Sequence, residues 1–154
     1  MLMDPVCNCF SLRQATRRVT QLYDQALAPL DLRATQYSLL RQVEGRGPIA
    51  LNPLAEIMVM GRATLGHNVR PLEQRGLLKL AVGKDRRSRE VSITAAGRRA
   101  VVKGDALWRQ AQKVFEREIG AKESAALRAM LHRVAATPFA LAQAAKPPAS
   151  ASSP

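Results

Sequence analysis

Residues 61–94 read GRATLGHNVRPLEQRGLLKLAVGKDRRSREVSIT. Leu65, Val69 and Leu72 recur at spacings of four and three, so they share one face of a helix. Thr64, His67, Arg70 and Gln74 fall towards the opposite side, a polar strip with no core to meet. Gly76 supplies the stop expected just past a helix end. Leu77–Val82 and Glu90–Thr94 are short and strand-like, and they bracket GKDRRSR (83–89), a turn with four basic side chains. A helix with a bare polar face beside a cationic hairpin suits duplex DNA, the helix in the major groove and the loop along the phosphates.

The flanking sequence extends this pattern. A helix is expected over Phe10–Leu27, with Leu12, Ala15, Val19, Leu22 and Ala26 inward and Pro29 ending it. Asp31–Arg33 is a turn, Thr35–Val43 a second helix closed by Gly45 and Gly47, and Pro48–Met58 holds a short third helix with Leu51, Leu54, Ala55 and Ile57 inward. Two short helices joined by a tight turn, followed by the hairpin, make a winged helix-turn-helix. After Thr94 a long helix runs from Ala95 to about Ile119, its inward set including Val101, Leu107, Trp108, Ala111, Val114 and Phe115. Gly120 breaks it, and Lys122–Ala142 is the last helix, bent near Pro138. Pro71 lies well inside the helix that Gly76 ends, where it removes a hydrogen bond to residue 67 and predicts a bend or a shift on DNA.

The fold class is therefore mainly α with a small β-hairpin wing. Four segments follow: 1–30 as the N-terminal helix of a dimerisation lobe, 31–98 as the winged DNA-binding lobe, 99–142 as C-terminal dimerisation helices, and 143–154 as a disordered, low-complexity tail. The end helices carry more apolar surface than so small a lobe can hide, which points to a second copy of the chain as cover.

Composition narrows the function. The 154 residues carry a formal net charge of +12. Gly61–Arg99 alone holds ten Lys/Arg against three Asp/Glu, so the excess sits where phosphates would be tracked. A solvated basic face kept for solubility is the bland alternative. No run of about 18 uncharged apolar residues exists to span a membrane, and the arginines after the apolar start reverse the order of a signal peptide. A cytoplasmic location follows. Cys7 and Cys9 build no disulfide framework, and the two histidines, His67 and His132, are too distant to complete a zinc site. There is no Gly-rich phosphate loop, no paired histidines and no Ser-x-Gly elbow, so neither catalysis nor a cofactor is expected. A helical adaptor that binds protein is the third class, but it has no need of a cationic hairpin.

At the hairpin a family resemblance becomes specific. Asp85-Arg86-Arg87-Ser88-Arg89-Glu90-Val91-Ser92-Ile93-Thr94 with Gly97 resembles the D-x-R-x5-L-T-x-x-G signature of MarR-family bacterial transcription regulators, Ile93 standing where leucine is usual. Leu72-Glu73-Gln74-Arg75-Gly76-Leu77 is similar to that family's L-E-x-x-G-L, and Thr35-Gln36-Tyr37 fits its second helix. The likeness runs from Cys9 to about Ala142. It implies a homodimer on pseudo-palindromic double-stranded DNA, repressing until a small molecule or oxidant binds. Carried over residue by residue, Ala63, Thr64 and His67 reach base edges, Arg62 and Arg70 reach bases or phosphates, and Arg86, Arg87 and Arg89 line the wing, Arg87 as its minor-groove finger. Asp85 would orient an arginine, and Gly61 replaces the family's acidic cap.

Two effector schemes stay open. Cys9-Phe10 resembles the Cys-Phe of MarR-type organic hydroperoxide sensors, and Tyr23 falls at one of their cysteine-activating tyrosines. Arg13 and Ala34 occupy the other two tyrosine positions. An arginine can steady a thiolate or hold a carboxylate by a bidentate pair. The preferred reading is a small anionic, aromatic carboxylate in a pocket lined by Cys9, Arg13, Arg17, Tyr37 and Trp108. The alternatives are a redox sensor using Cys9, or Cys9 as a plain core residue.

Overall fold

The computed structural model describes residues 7–83 and 88–140. Helix α1 (Asn8–Leu27) starts where the Cys7 Sγ accepts the Phe10 N–H at 3.5 Å. A single 3₁₀ turn, Ala28–Leu30, carries Pro29, and Asp31 then reverses the chain in the left-handed region at φ 51°. α2 (Ala34–Arg46) begins against α1: the Ala34 N–H donates to Asp24 Oδ1 at 2.7 Å, so an acid from one helix caps the next. Tyr37, Leu39, Leu40 and Val43 are its buried face.

A two-residue strand, β1 (Ile49–Ala50), was not expected from the sequence and leads into α3 (Leu51–Ile57). Leu54 and Ala55 face the core there, but Ile57, expected inward, is 40% exposed. It is the last residue of a helix shorter than two turns, where the chain is already leaving the core. Val59 follows with φ 50°, a strained choice for a β-branched residue. The tight turn it makes opens α4 (Arg62–Gln74), which runs unbroken through Pro71.

Leu65, Val69 and Leu72 bury the inner face of α4. Its end is a Schellman motif: the Leu77 N–H bonds the Leu72 carbonyl at 2.9 Å and the Gly76 N–H bonds Glu73 at 2.8 Å, with Gly76 at φ 67°. β2 (Leu78–Val82) and β3 (Arg89–Ile93) pair antiparallel from Leu78↔Ile93 to Val82↔Arg89. β1 joins on the far side of β3, Ile49 opposite Val91, giving the order β1-β3-β2.

Thr94 then fastens the hairpin to α5 (Ala95–Ile119). Its hydroxyl donates to the Gly76 carbonyl at 2.6 Å and accepts the Gly97 N–H at 3.0 Å. A Cβ at Gly97 would meet the Leu77 carbonyl, so only glycine allows the helix to sit this close. Trp108, expected inward on α5, is 39% exposed. α6 (Ala121–Ala136) stops short of the expected Ala142 and is not bent by Pro138. Thr137, the residue before that proline, is forced into the extended region (φ −83°, ψ 120°) and caps the helix instead.

The fully buried leucines and valines gather among the end of α1, α2, α3, α4, the sheet and the first half of α5. The expectations placed on Asp85, Arg86, Arg87 and the 143–154 tail lie outside the described residues.

Candidate nucleic-acid interface

Burying Leu65, Val69 and Leu72 turns the opposite side of α4 outward, and Arg62, Ala63, Thr64, His67 and Arg70 all lie away from the buried seam. Gly61 caps α4 without a side chain, which leaves the first-turn N–H groups, the positive end of the helix dipole, open to an anion. Arg89 lies at the turn end of the hairpin, opposite Val82. The fold brings Arg62 and Arg89 to one groove of about 440 Å³ between the starts of α3, α4 and β3, with Asn52 and Ser88 beside them.

Ion pairing leaves this face, like the Arg13–Arg17–Arg18 stretch of α1, without carboxylate partners among the described residues. Arg33 pairs with Asp24, Arg41 with Asp105, Arg75 with Asp31 and Arg128 with Glu116. Arg62, Arg70 and Arg89 make no salt bridge with any described residue. Cations held near each other without acids are available to phosphates.

The residues expected around an effector divide into two groups. Tyr37 and Trp108 line one cavity of about 240 Å³ between α1, α2 and α5, together with Tyr23, Thr20 and Ser38. Cys9, Arg13 and Arg17 are exposed on α1 at intervals of four, one stripe of that helix, and do not line this cavity. Within the single chain Cys9 is exposed and is not part of the protomer's core, while Val19 and Tyr23 of α1 face its neighbours.

Two networks that no local pattern announces hold the cavity walls. The Tyr37 hydroxyl donates to Asp105 Oδ1, and Arg41 braces the same carboxylate at 3.2 Å. Burial, then the bond to Asp105 and its charge, push the Tyr37 hydroxyl well above its ordinary 10.0. Gly104 gives the Tyr37 ring its seat, since a Cβ there would overlap the ring edge. The Tyr23 hydroxyl donates to Gln112 Oε1 at 2.6 Å, and Gln112 in turn donates to Glu116 at 2.9 Å. Burial again raises the Tyr23 hydroxyl, with the Arg128 charge opposing and Glu116 adding. The Tyr23 and Trp108 rings stand 6.5 Å apart at 45°.

A second, apolar groove of about 330 Å³ runs between α1, α5 and α6, lined by Leu12, Val19, Phe115, Leu127 and Leu131. Beside it Ile119 and Met130 are each 49% exposed. Among the described residues no cluster of His, Cys, Asp and Glu could hold a metal ion, and no helix is long and apolar enough to cross a membrane.

No protein-family model and no curated protein matches the sequence. Solved structures do. The M. tuberculosis transcriptional regulator MosR, solved in complex with DNA, is 30% identical with a TM-score of 0.76, over 84% of this chain and 93% of MosR. A probable transcriptional regulator from Pseudomonas aeruginosa is 30% identical at a TM-score of 0.77, over 87% of this chain and 99% of its own. A mutant E. coli MarR complexed with operator DNA shares the fold at 20% identity and a TM-score of 0.73, over 80% and 89% of the two chains.

Proposed function

The chain belongs to the MarR family of winged helix-turn-helix transcriptional regulators, and we propose that it is a homodimeric repressor released from a pseudo-palindromic operator by a small aromatic carboxylate. It is a DNA-binding protein, not an enzyme. The observation that supports DNA contact is the meeting of Arg62 and Arg89 in one groove without acidic partners among the described residues. In this reading Ala63, Thr64 and His67 touch base edges, Arg62 and Arg70 touch bases or phosphates, and Arg86, Arg87 and Arg89 track the backbone from the wing. The chain then works beside the chromosome, in the cytoplasm.

The apolar groove between α1, α5 and α6 supports the dimer. Side chains of this kind seldom stay uncovered over a continuous surface, and a two-fold axis through them sets two reading helices about one DNA turn apart. The segments 1–30 and 99–142 form the dimerisation lobe and 31–98 the DNA lobe. The effector enters the Tyr23–Tyr37–Trp108 cavity, whose rings suit an aromatic ligand. Neither Arg13 nor Arg17 lines it within one chain, so their proposed part is to bring cationic charge from the second copy.

Exposure of Cys9 favours a second reading, in which an organic peroxide oxidises that thiol. One titration separates the two. A gel-shift series on the promoter region of the chain's own gene is repeated with salicylate, with benzoate and with cumene hydroperoxide, for wild type, Cys9→Ser and Arg13→Ala. Release by a carboxylate, kept in Cys9→Ser and lost in Arg13→Ala, is the expected result. Release by peroxide alone, lost in Cys9→Ser, replaces it with the redox reading.

A further inference from the structure

The end of α4 is joined to the α1–α2 corner by one side chain. Arg75 follows the last residue of α4, and its guanidinium donates to the Leu30 carbonyl at 2.9 Å and to the Asp31 carbonyl, with the Asp31 carboxylate 3.8 Å away. Arg75 and Asp31 themselves help line an open groove of about 390 Å³, with Asp24, Arg33, Gln36 and Pro71. The link therefore crosses at the protein surface. Pro71 lines the same groove, and its absent N–H leaves the His67 carbonyl without its intrahelical donor, so α4 has one backbone bond fewer on the approach to its end. Leu65, Val69 and Leu72 fix the helix along its seam, and Arg75 adds a polar link beyond the last of them. The corner itself is well held: Asp31 takes a left-handed conformation with its N–H bonded to the Ala28 carbonyl, and Asp24 caps α2.

From this we infer that Arg75 is a positioning residue for DNA reading: it ties the orientation of α4 to the end of α1 without touching DNA. The inference rests on the DNA-binding role of α4. It also gives a physical route from the effector cavity, whose wall includes Tyr23 and Leu27 near the end of α1, to the reading helix. Because the acceptors are main-chain carbonyls, Asp31→Asn preserves the link.

The test uses the full chain, a duplex that the wild type enriches from a random-sequence pool, and a scrambled duplex of equal length. Arg75→Met keeps the aliphatic stem, and Arg75→Lys keeps a donor. Circular dichroism checks folding of each. Arg75→Met is expected to weaken operator binding about tenfold. Its affinity for the scrambled duplex and its salt slope stay at wild-type values, Arg75→Lys recovers part of the loss, and Asp31→Asn loses nothing. Equal weakening on both duplexes, with the slope reduced by about one per arginine, makes Arg75 a phosphate ligand and overturns the inference. So does an operator affinity that no Arg75 variant changes. A wild type that enriches no sequence overturns the DNA reading itself, a result distinct from enrichment followed by unaffected variants.

Discussion

Removing the hydroxyl of Tyr37 isolates the link between α2 and α5. In Tyr37→Phe the ring keeps its seat on Gly104, so the change is one hydrogen bond to a carboxylate. Such bonds contribute about 1.5–3 kcal/mol when buried. Asp105 is 29% exposed and retains Arg41, so water and that guanidinium recover part of the loss. A net cost of about 1–1.5 kcal/mol remains, which lowers the melting temperature by roughly 3–5 °C for a chain of this size. Alkaline pH provides an independent check of the same bond. Folding raises the Tyr37 hydroxyl above its ordinary 10.0. Below pH 10 neither state ionises and the stabilisation is intact. Above it the unfolded tyrosine loses its proton before the folded one does, and the wild type loses about 1.4 kcal/mol per pH unit from this residue. Phenylalanine has no such loss, so the stability gap closes by about pH 11. Urea melts at fixed protein concentration from pH 8 to 11 measure both quantities. A gap under about 0.3 kcal/mol at pH 8, or one that stays constant to pH 11, refutes the reasoning.

Val59→Asn should stabilise the protein by about 0.5–1 kcal/mol, because asparagine tolerates the left-handed turn better than an exposed, β-branched valine; a melt that shifts downward counts against strain at this turn. Leu131→Glu places a charge in the apolar groove and should convert the dimer to a monomer by light scattering, while an unchanged mass would relocate the interface. Trp108→Ala removes one wall of the aromatic cavity and should raise the carboxylate concentration needed for operator release about tenfold, with ligand-free DNA affinity unchanged. If the effective concentration stays at its wild-type value, the ligand does not use that cavity.

The sequence is most informative where spacing and stop signals coincide. Leu65, Val69 and Leu72 with Gly76 define α4 almost to the residue, and Gly120 marks the break between the last two helices. β1 escapes because two residues carry no period, and its partner Val91 lies far along the chain. Ile57 and Trp108 sit at helical spacings that do not reveal where a neighbouring element ends. The division of the expected effector set has the same cause. Cys9, Arg13 and Arg17 share a stripe of α1, but which stripe turns towards α5 is decided by packing of Leu12, Val19 and Tyr23. Tyr37–Asp105 and Arg75–Leu30 join residues 68 and 45 positions apart, and no local pattern encodes such a pair.

The role of the exposed α4 face and its neighbouring strand as a joint DNA grip is tested most directly by salt dependence. Operator affinity of the wild type and of Arg89→Ala is measured by fluorescence anisotropy on one duplex across a range of sodium chloride concentrations. A dimer that loses one phosphate contact per protomer should show a log–log slope shallower by about two, together with weaker binding. Parallel lines for the two proteins would mean that Arg89 meets no phosphate, and that the cationic strand edge beside α4 is not part of the DNA-binding surface.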